Sequence, residues 1–312
     1  MKRNISAKIW LSLVFPIAVF FAGFVWFCFT GILWQDILTF LIFYQIGLFG
    51  IAVTSHKLLS HRSFKASPFV ESIFFTLGSC AFQYSPLYWA AFHRKHHQYS
   101  DKPGDPHSPW AREIPFPGRL SGWAHAHCLW AYEFDFQKCA DEYAPDLLSK
   151  PHIRFFHRHH TLVGLLWILL AGVTEGLLLG SIEGFWRGLY WGGIFRILMV
   201  HNSFFALNSF GGHGFGFRNF ETRDKSTNNF FFFPLLLGEC WHNNHHAYPN
   251  SASNQKRWFE FDPHYDFLRL LQSVGLITDL RPFPKDVVHE SRESAKDPQV
   301  TNEHQNDSGN QK

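Results

Sequence analysis

The chain has little charge, no paired cysteines and no motif for a flavin, haem or iron–sulfur cofactor. Asp, Glu, Lys and Arg make up 17% of its 312 residues, a thin polar shell for a soluble enzyme. The net charge of +3 is small and dispersed, which excludes nucleic acid as a partner. Cys28, Cys80, Cys128, Cys139 and Cys240 are scattered, and Cys28 lies inside an apolar run. That excludes a disulfide framework and a zinc knuckle. No internal repeat is found. The mean hydropathy of −0.11 excludes a bundle buried throughout in lipid, so a sizeable part must face water.

Aromatic and imidazole side chains are abundant: 36 Phe, 12 Trp and 20 His in a composition that is 46% hydrophobic. Apolar runs occupy 9–30, 33–53, 161–179 and 185–207, and about 20 helical residues cross a bilayer. The first run follows Lys2, Arg3 and Lys8. It exceeds a secretory h-region and lacks a small-x-small cleavage site, so it reads as a retained helix with a cytoplasmic N-terminus. Short links at 31–36 and 181–184 fold the runs into two hairpins. Residues 54–160 and 208–285 then fall on the cytoplasmic side.

The expected fold is therefore an all-α membrane protein, with four transmembrane helices in two hairpins under a cytoplasmic helical cap that holds a histidine-rich di-metal site. It forms one domain over 1–285, and the polar tail 286–312 is expected to be disordered. The stretch 68–88 reads as one helix partly sunk in the membrane. Arg187 is expected to snorkel at the outer end of the last span, whereas Arg196 needs a buried partner or a wet pocket.

His93, His96 and His97 stand at i, i+3 and i+4, and the pattern returns in His242, His245 and His246. At ~100° per residue of helix, each triplet aims into one arc. His56 and His61 are five apart, diverge by about 140° on an ideal helix, and so read as serving different metals or a frayed end. With His213, just past the last run, these nine suffice for two metals of four or five imidazoles each. Neutral imidazole suits Zn, Cu, Fe or Ni, so ligand type leaves the metal open. Asp101, Asp105, Glu221, Asp224 and Glu239 are expected to accept the other ring N–H and fix the tautomers.

The three boxes, with Asp105-Pro106-His107, the segment from Glu221 to Asp224, and Gly238-Glu239-x-Trp241-His242-Asn243-Asn244-His245-His246, resemble the integral-membrane fatty acid desaturases. The closest likeness is to the acyl-CoA, stearoyl-CoA delta-9 branch, over roughly 35–270. That resemblance implies two Fe ions held by the nine histidines, O2 as co-substrate, and removal of two hydrogens from an acyl chain, most often between carbons 9 and 10. It implies an integral, multi-pass protein of a bacterial inner membrane or the endoplasmic reticulum, with a cytoplasmic catalytic face. Electrons would come from a separate ferredoxin, cytochrome b5 or flavoprotein-type donor.

Asn208 is similar to the family asparagine that holds a metal-bound water, although it stands five residues before His213 where four is usual. Trp89, Trp123, Trp191 and Phe210 are candidates for lining the substrate tunnel. Where animal acyl-CoA desaturases carry Arg-Asp before the second box, this chain has Ala91-Phe92, so a lipid-bound or carrier-protein-bound chain stands beside acyl-CoA.

Two other functions are compatible with so many histidines. A hydroxylase would use the same metals to insert oxygen, and a metal transporter would place ionisable residues in mid-membrane; here the imidazoles lie outside the spans. His157, His159 and His160, at uneven spacing beside Arg158 and Arg154, read as a basic membrane anchor. His201 reads as second shell or as a hydrogen-bonded helix end, and His107, His125, His127 and His264 as cap residues.

Overall fold

A computed structural model of the chain describes residues 15–111 and 122–284. Lys2, Arg3, Lys8, the first residues of the first run, most of the loop 115–122 and the tail 286–312 lie outside the described residues. The architecture is mostly helical, and the main helices are α1 (Phe15–Thr30), α2 (Trp34–Ser60), α3 (Pro68–Cys80), α4 (Pro86–Tyr99), α5 (Phe136–Tyr143) and α6 (Pro151–Leu179). They are followed by α7, a continuous helical run over 182–211, then α8 (His242–Ala247) and α9 (Pro263–Ser273). A two-residue antiparallel ladder, Lys65–Ala66 against Ile277–Thr278, ties the segment after α2 to the one after α9.

Where four spans are expected, two helices among the described residues, α2 and α6, are long and apolar enough to cross a bilayer. The described part of α1 is shorter, and α7 carries Arg187 and Arg196. Both long helices overrun their apolar stretches: α2 continues to Ser60, and α6 begins at Pro151, so His157, His159 and His160 belong to its first turns.

The expected single helix over 68–88 is two. Ser67 and Ser85 each cap a helix by accepting a first-turn N–H, with Pro next in line, the favoured chemistry for a start. Between them Phe82 and Tyr84 adopt positive φ, 56° and 62°, which α-helix cannot continue. Gly50 lets α2 and α3 touch, since a Cβ there would stand 2.1 Å from the Leu77 carbonyl oxygen.

Arg187 does not snorkel. It is 1% exposed and grips Asp36 through Nε at 2.9 Å and Nη2 at 2.5 Å, while Nη2 also donates to the Gly31 carbonyl at 2.8 Å. The polar interruption in the second apolar run is thus the counter-ion of the fourth, and it latches one hairpin to the other. Arg196 is buried too, donating to the carbonyls of Gly192 and Cys80. Breaking a buried pair leaves one charge uncompensated, at about 3–5 kcal/mol. Asp36→Ala should therefore lower the thermal unfolding midpoint in detergent far more than Asp36→Leu combined with Arg187→Met; equal losses would refute the latch.

Candidate metal centre

The first box lies where α2 changes character. From Gly50 to Ser60 the helix is π, with the His61 N–H donating to the His56 carbonyl at 3.1 Å, five residues back. A π turn holds more residues than the 3.6 of an α turn, so positions five apart come back to one side. The expectation that His56 and His61 diverge fails for this reason: their rings lie 5.0 Å apart. Box two rides on α4 and box three on α8, six residues long.

The structure brings the nine histidines into two groups. His56, His61, His93, His97 and His245 form one, and His96, His213, His242 and His246 the other, with all offered nitrogens in a group within 4.8 Å of one another. In the first, Nε2 pairs stand 2.9 Å apart for His56 and His245, 3.0 Å for His61 and His93, 3.0 Å for His93 and His97, and 2.9 Å for His97 and His245. In the second they stand 3.0 Å for His213 and His242, 2.9 Å for His242 and His246, and 3.4 Å for His96 and His246. A metal at about 2.1 Å from each nitrogen gives ligand–ligand edges of roughly 3.0–3.4 Å. The donor set fits two metal ions.

Behind the rings, carboxylates meet the other nitrogen. Nδ1 of His56 lies 2.5 Å from Glu239, that of His96 2.9 Å from Asp105, that of His213 3.0 Å from Asp101, and that of His246 2.8 Å from Asp224. Each contact aims Nε2 inward. Glu221 is exposed and is not one of these four. Asp105 also accepts the backbone N–H of His107 at 3.1 Å.

Burial pushes the imidazole pKa of His56, His61, His93, His97, His242 and His245 well below 6.5, and neighbouring positive charge adds to it. Burial takes His246 down to about 4, although Asp224 opposes it. Burial also depresses His213, but Asp101 and the other nearby carboxylates outweigh it and the net shift is upward. Burial raises Asp101, yet the His213 charge and hydrogen bonds win and bring it to about 2. Asp105 and Asp224 lie well below the carboxylate range because their imidazoles outweigh burial, whereas burial lifts Glu239.

One wall of the adjoining cavity is His56, His93, His96 and His242; the rest includes Trp89, Phe92, Trp130, Phe204, Phe205, Leu207, Gln83 and Asn208. Of the four residues expected to line a substrate tunnel, Trp89 is the one that borders this cavity. Trp123 and Phe210 pack on each other at 5.4 Å, and Trp191 packs against Phe27 of α1 and Phe195 of α7; none of these three lines the cavity. Asn208 lies in another π turn, Leu207–Gly211, where the Gly212 N–H donates to the Leu207 carbonyl at 2.6 Å. The extra residue before His213 is absorbed there. Gly212 is obligatory, since a Cβ would stand 2.8 Å from the His242 ring.

Reading the sequence missed His107, which is buried and stacked on His96 at 4.4 Å; the Asp-Pro-His run was its signal. It also missed Trp130 and Phe204, which no motif marks. His157 bonds Ser85 at 2.6 Å and His201 the Ala81 carbonyl at 3.1 Å, so both are held by structure rather than by the imidazole groups.

Seven rings that resist protonation when folded titrate near 6.5 when unfolded. Below about pH 6.5 the unfolded chain thus binds more protons, and the metal-free protein must lose stability as pH falls through that window; His213, shifted up, opposes the other seven alone. Thermal unfolding with a chelator present should show a lower midpoint near pH 5.5 than near pH 7.5, and a flat profile would refute neutral, desolvated rings.

Residues 32–269 match the family model described as fatty acid desaturase. The chain is 35% identical over 240 residues to the hex-5-enoyl-(acyl-carrier protein) acetylenase of Moorena producens, covering 76% of this chain and 74% of that protein. Identity is 34% over 238 residues to the acyl-CoA C20 Delta5-desaturase of Anemone leveillei, covering 75% and 70%. It is 30% over 273 residues to the sn-1 stearoyl-lipid 9-desaturase of Anabaena variabilis, covering 87% and 93%. Two imidazole clusters on a helical scaffold, a family match over most of the chain and relatives of this similarity lead to one conclusion: the protein is an oxidoreductase of the fatty acid desaturase family.

Proposed function

We propose that the chain removes two hydrogens from a saturated acyl chain in an O2-dependent reaction, leaving a cis double bond between carbons 9 and 10, with the acyl group carried as a CoA thioester. The observation that supports this most is the pair of buried, all-nitrogen donor sets beside an apolar cavity. In this reading His56, His61, His93, His97 and His245 hold one iron, and His96, His213, His242 and His246 the other. The irons supply the oxidising power to break an unactivated methylene C–H bond, which side-chain acids and bases lack. The protein's own residues do the rest. Glu239, Asp105, Asp101 and Asp224 hold the Nδ1 protons and so fix the tautomers. Trp89, Phe92, Trp130, Phe204 and Leu207 hold the acyl chain and exclude water. Asn208 presents a neutral amide to the same cavity.

In the same reading α1, α2, α6 and α7 span the membrane as two hairpins, with the imidazole face on the cytoplasmic side of a bacterial inner membrane or the endoplasmic reticulum. The domain runs over 1–285, and electrons arrive from a separate ferredoxin, cytochrome b5 or flavoprotein-type donor. A second reading, in which the acyl chain is lipid-bound, is favoured by Ala91-Phe92 in place of a charged pair and by the near full-length similarity to a stearoyl-lipid desaturase.

Expression in a host that lacks such an activity should produce a new cis-9 monoene in its fatty-acid profile. His96→Ala or His245→Ala should abolish it while leaving membrane insertion intact; full activity in either variant would sink the ligand assignment. Supplying purified protein and donor with stearoyl-CoA, and separately with stearoyl phospholipid, distinguishes the carriers: product from the phospholipid alone would overturn the CoA assignment.

A further inference from the structure

Glu260 is fully buried, and no cation pairs with it among the described residues. Its carboxylate takes four neutral donors instead: Asn219 Nδ2 at 2.6 Å, Asn244 Nδ2 at 2.9 Å, and the backbone N–H groups of Lys256 at 2.9 Å and Arg257 at 2.8 Å. A desolvated carboxylate without a counter-ion is unfavourable. What it grips is the back of the third histidine box.

Helix α8 has six residues and no side-chain cap of its own, far too short to hold its direction unaided. Its outer face is Asn243 and Asn244, both buried. Asn228 Oδ1 accepts the backbone N–H groups of Asn243 at 2.9 Å and Asn244 at 3.2 Å, and its Nδ2 donates to Asn244 Oδ1 at 2.9 Å. Asn219 Nδ2 also donates to Asn244 Oδ1 at 2.8 Å, while Asn243 Oδ1 accepts the backbone N–H groups of Asn219 at 2.8 Å and Phe220 at 2.9 Å. The segment fastened in this way runs on to Asp224, the carboxylate on His246. One buried network therefore sets two things at once: the direction of the His242, His245 and His246 rings, and the place of the acid that fixes one of them.

We infer that Glu260 is a positioning residue for the metal centre, acting through Asn244 and Asn219 to lock α8 and the Asp224 turn together. The inference rests on reading the imidazole groups as a two-iron centre. The role is hydrogen-bond acceptance, not charge. Oε2 alone accepts Asn244 Nδ2 and the backbone N–H groups of Lys256 and Arg257, so the amide introduced by Glu260→Gln can keep its oxygen for these three donors and gives up only the acceptor facing Asn219 Nδ2.

The test is iron per chain and iron affinity in the full-length protein purified in detergent, read beside monodispersity and kcat. The wild type should hold two irons. Glu260→Ala should weaken iron binding by about 10–100-fold, the usual effect of removing an outer partner of a ligand, and Glu260→Gln should restore most of it. Should Glu260→Ala fail to fold, Asn219→Ala, which keeps the carboxylate but removes the side chain that joins it and Asn244 to the Asp224 segment, should show the same loss. Asp266→Ala, at an exposed acid on the neighbouring helix, should change nothing. Two tightly bound irons in Glu260→Ala or Asn219→Ala, or a Glu260→Gln variant as depleted as Glu260→Ala, overturns the inference and leaves the di-iron reading standing. A wild type that binds no iron overturns both.

Discussion

Nine imidazoles can share one dry volume only while their rings stay neutral and their inner lone pairs face a common point, and the remainder of the fold answers to that demand. Burial supplies the neutrality of seven of them, at the expense of any charge that tries to form there, while the carboxylates around His213 favour its charged form. The four carboxylates behind His56, His96, His213 and His246 then decide which nitrogen carries the proton. Without them each buried ring could turn over or hold the wrong tautomer, and the inward cluster would lose its definition.

Keeping such a site in register requires a scaffold that does not flex. The latch between Asp36 and Arg187 joins the α1–α2 and α6–α7 hairpins at one end of α2, while the centre lies at the other, past its apolar part. Glycines at close helix contacts let the supports approach to backbone distance, as Gly50 does against Leu77 and Gly212 against the His242 ring. The histidines therefore project from rigid elements, apart from α8, which borrows its rigidity from the asparagine network.

Much of the site was legible in the sequence, because i, i+3, i+4 spacing is a local property that any helix expresses. The triplets of α4 and α8 lie as that spacing requires, and the acids were found as the polar groups available nearby. What could not be read was set by tertiary context. His56 and His61 depend on a π turn, for which the stretch from Gly50 to Ser60 carries no recognisable signal. Arg187 looked like an interfacial charge because its partner, Asp36, lies some 150 positions away in the chain. The tunnel aromatics were chosen by type and position in the sequence; only folding shows that Trp123 and Phe210 pack on each other and that Trp191 packs against Phe27 and Phe195.

The π segments at Gly50–Ser60 and Leu207–Gly211, two of four among the described residues, make helical register itself a functional quantity. Each carries one residue more than an α turn would accept, and each has poorer backbone geometry than the α-helix that removing that residue would restore. With α geometry over Gly50–Ser60, His56 and His61 would stand about 140° apart around the helix, their rings on opposite sides.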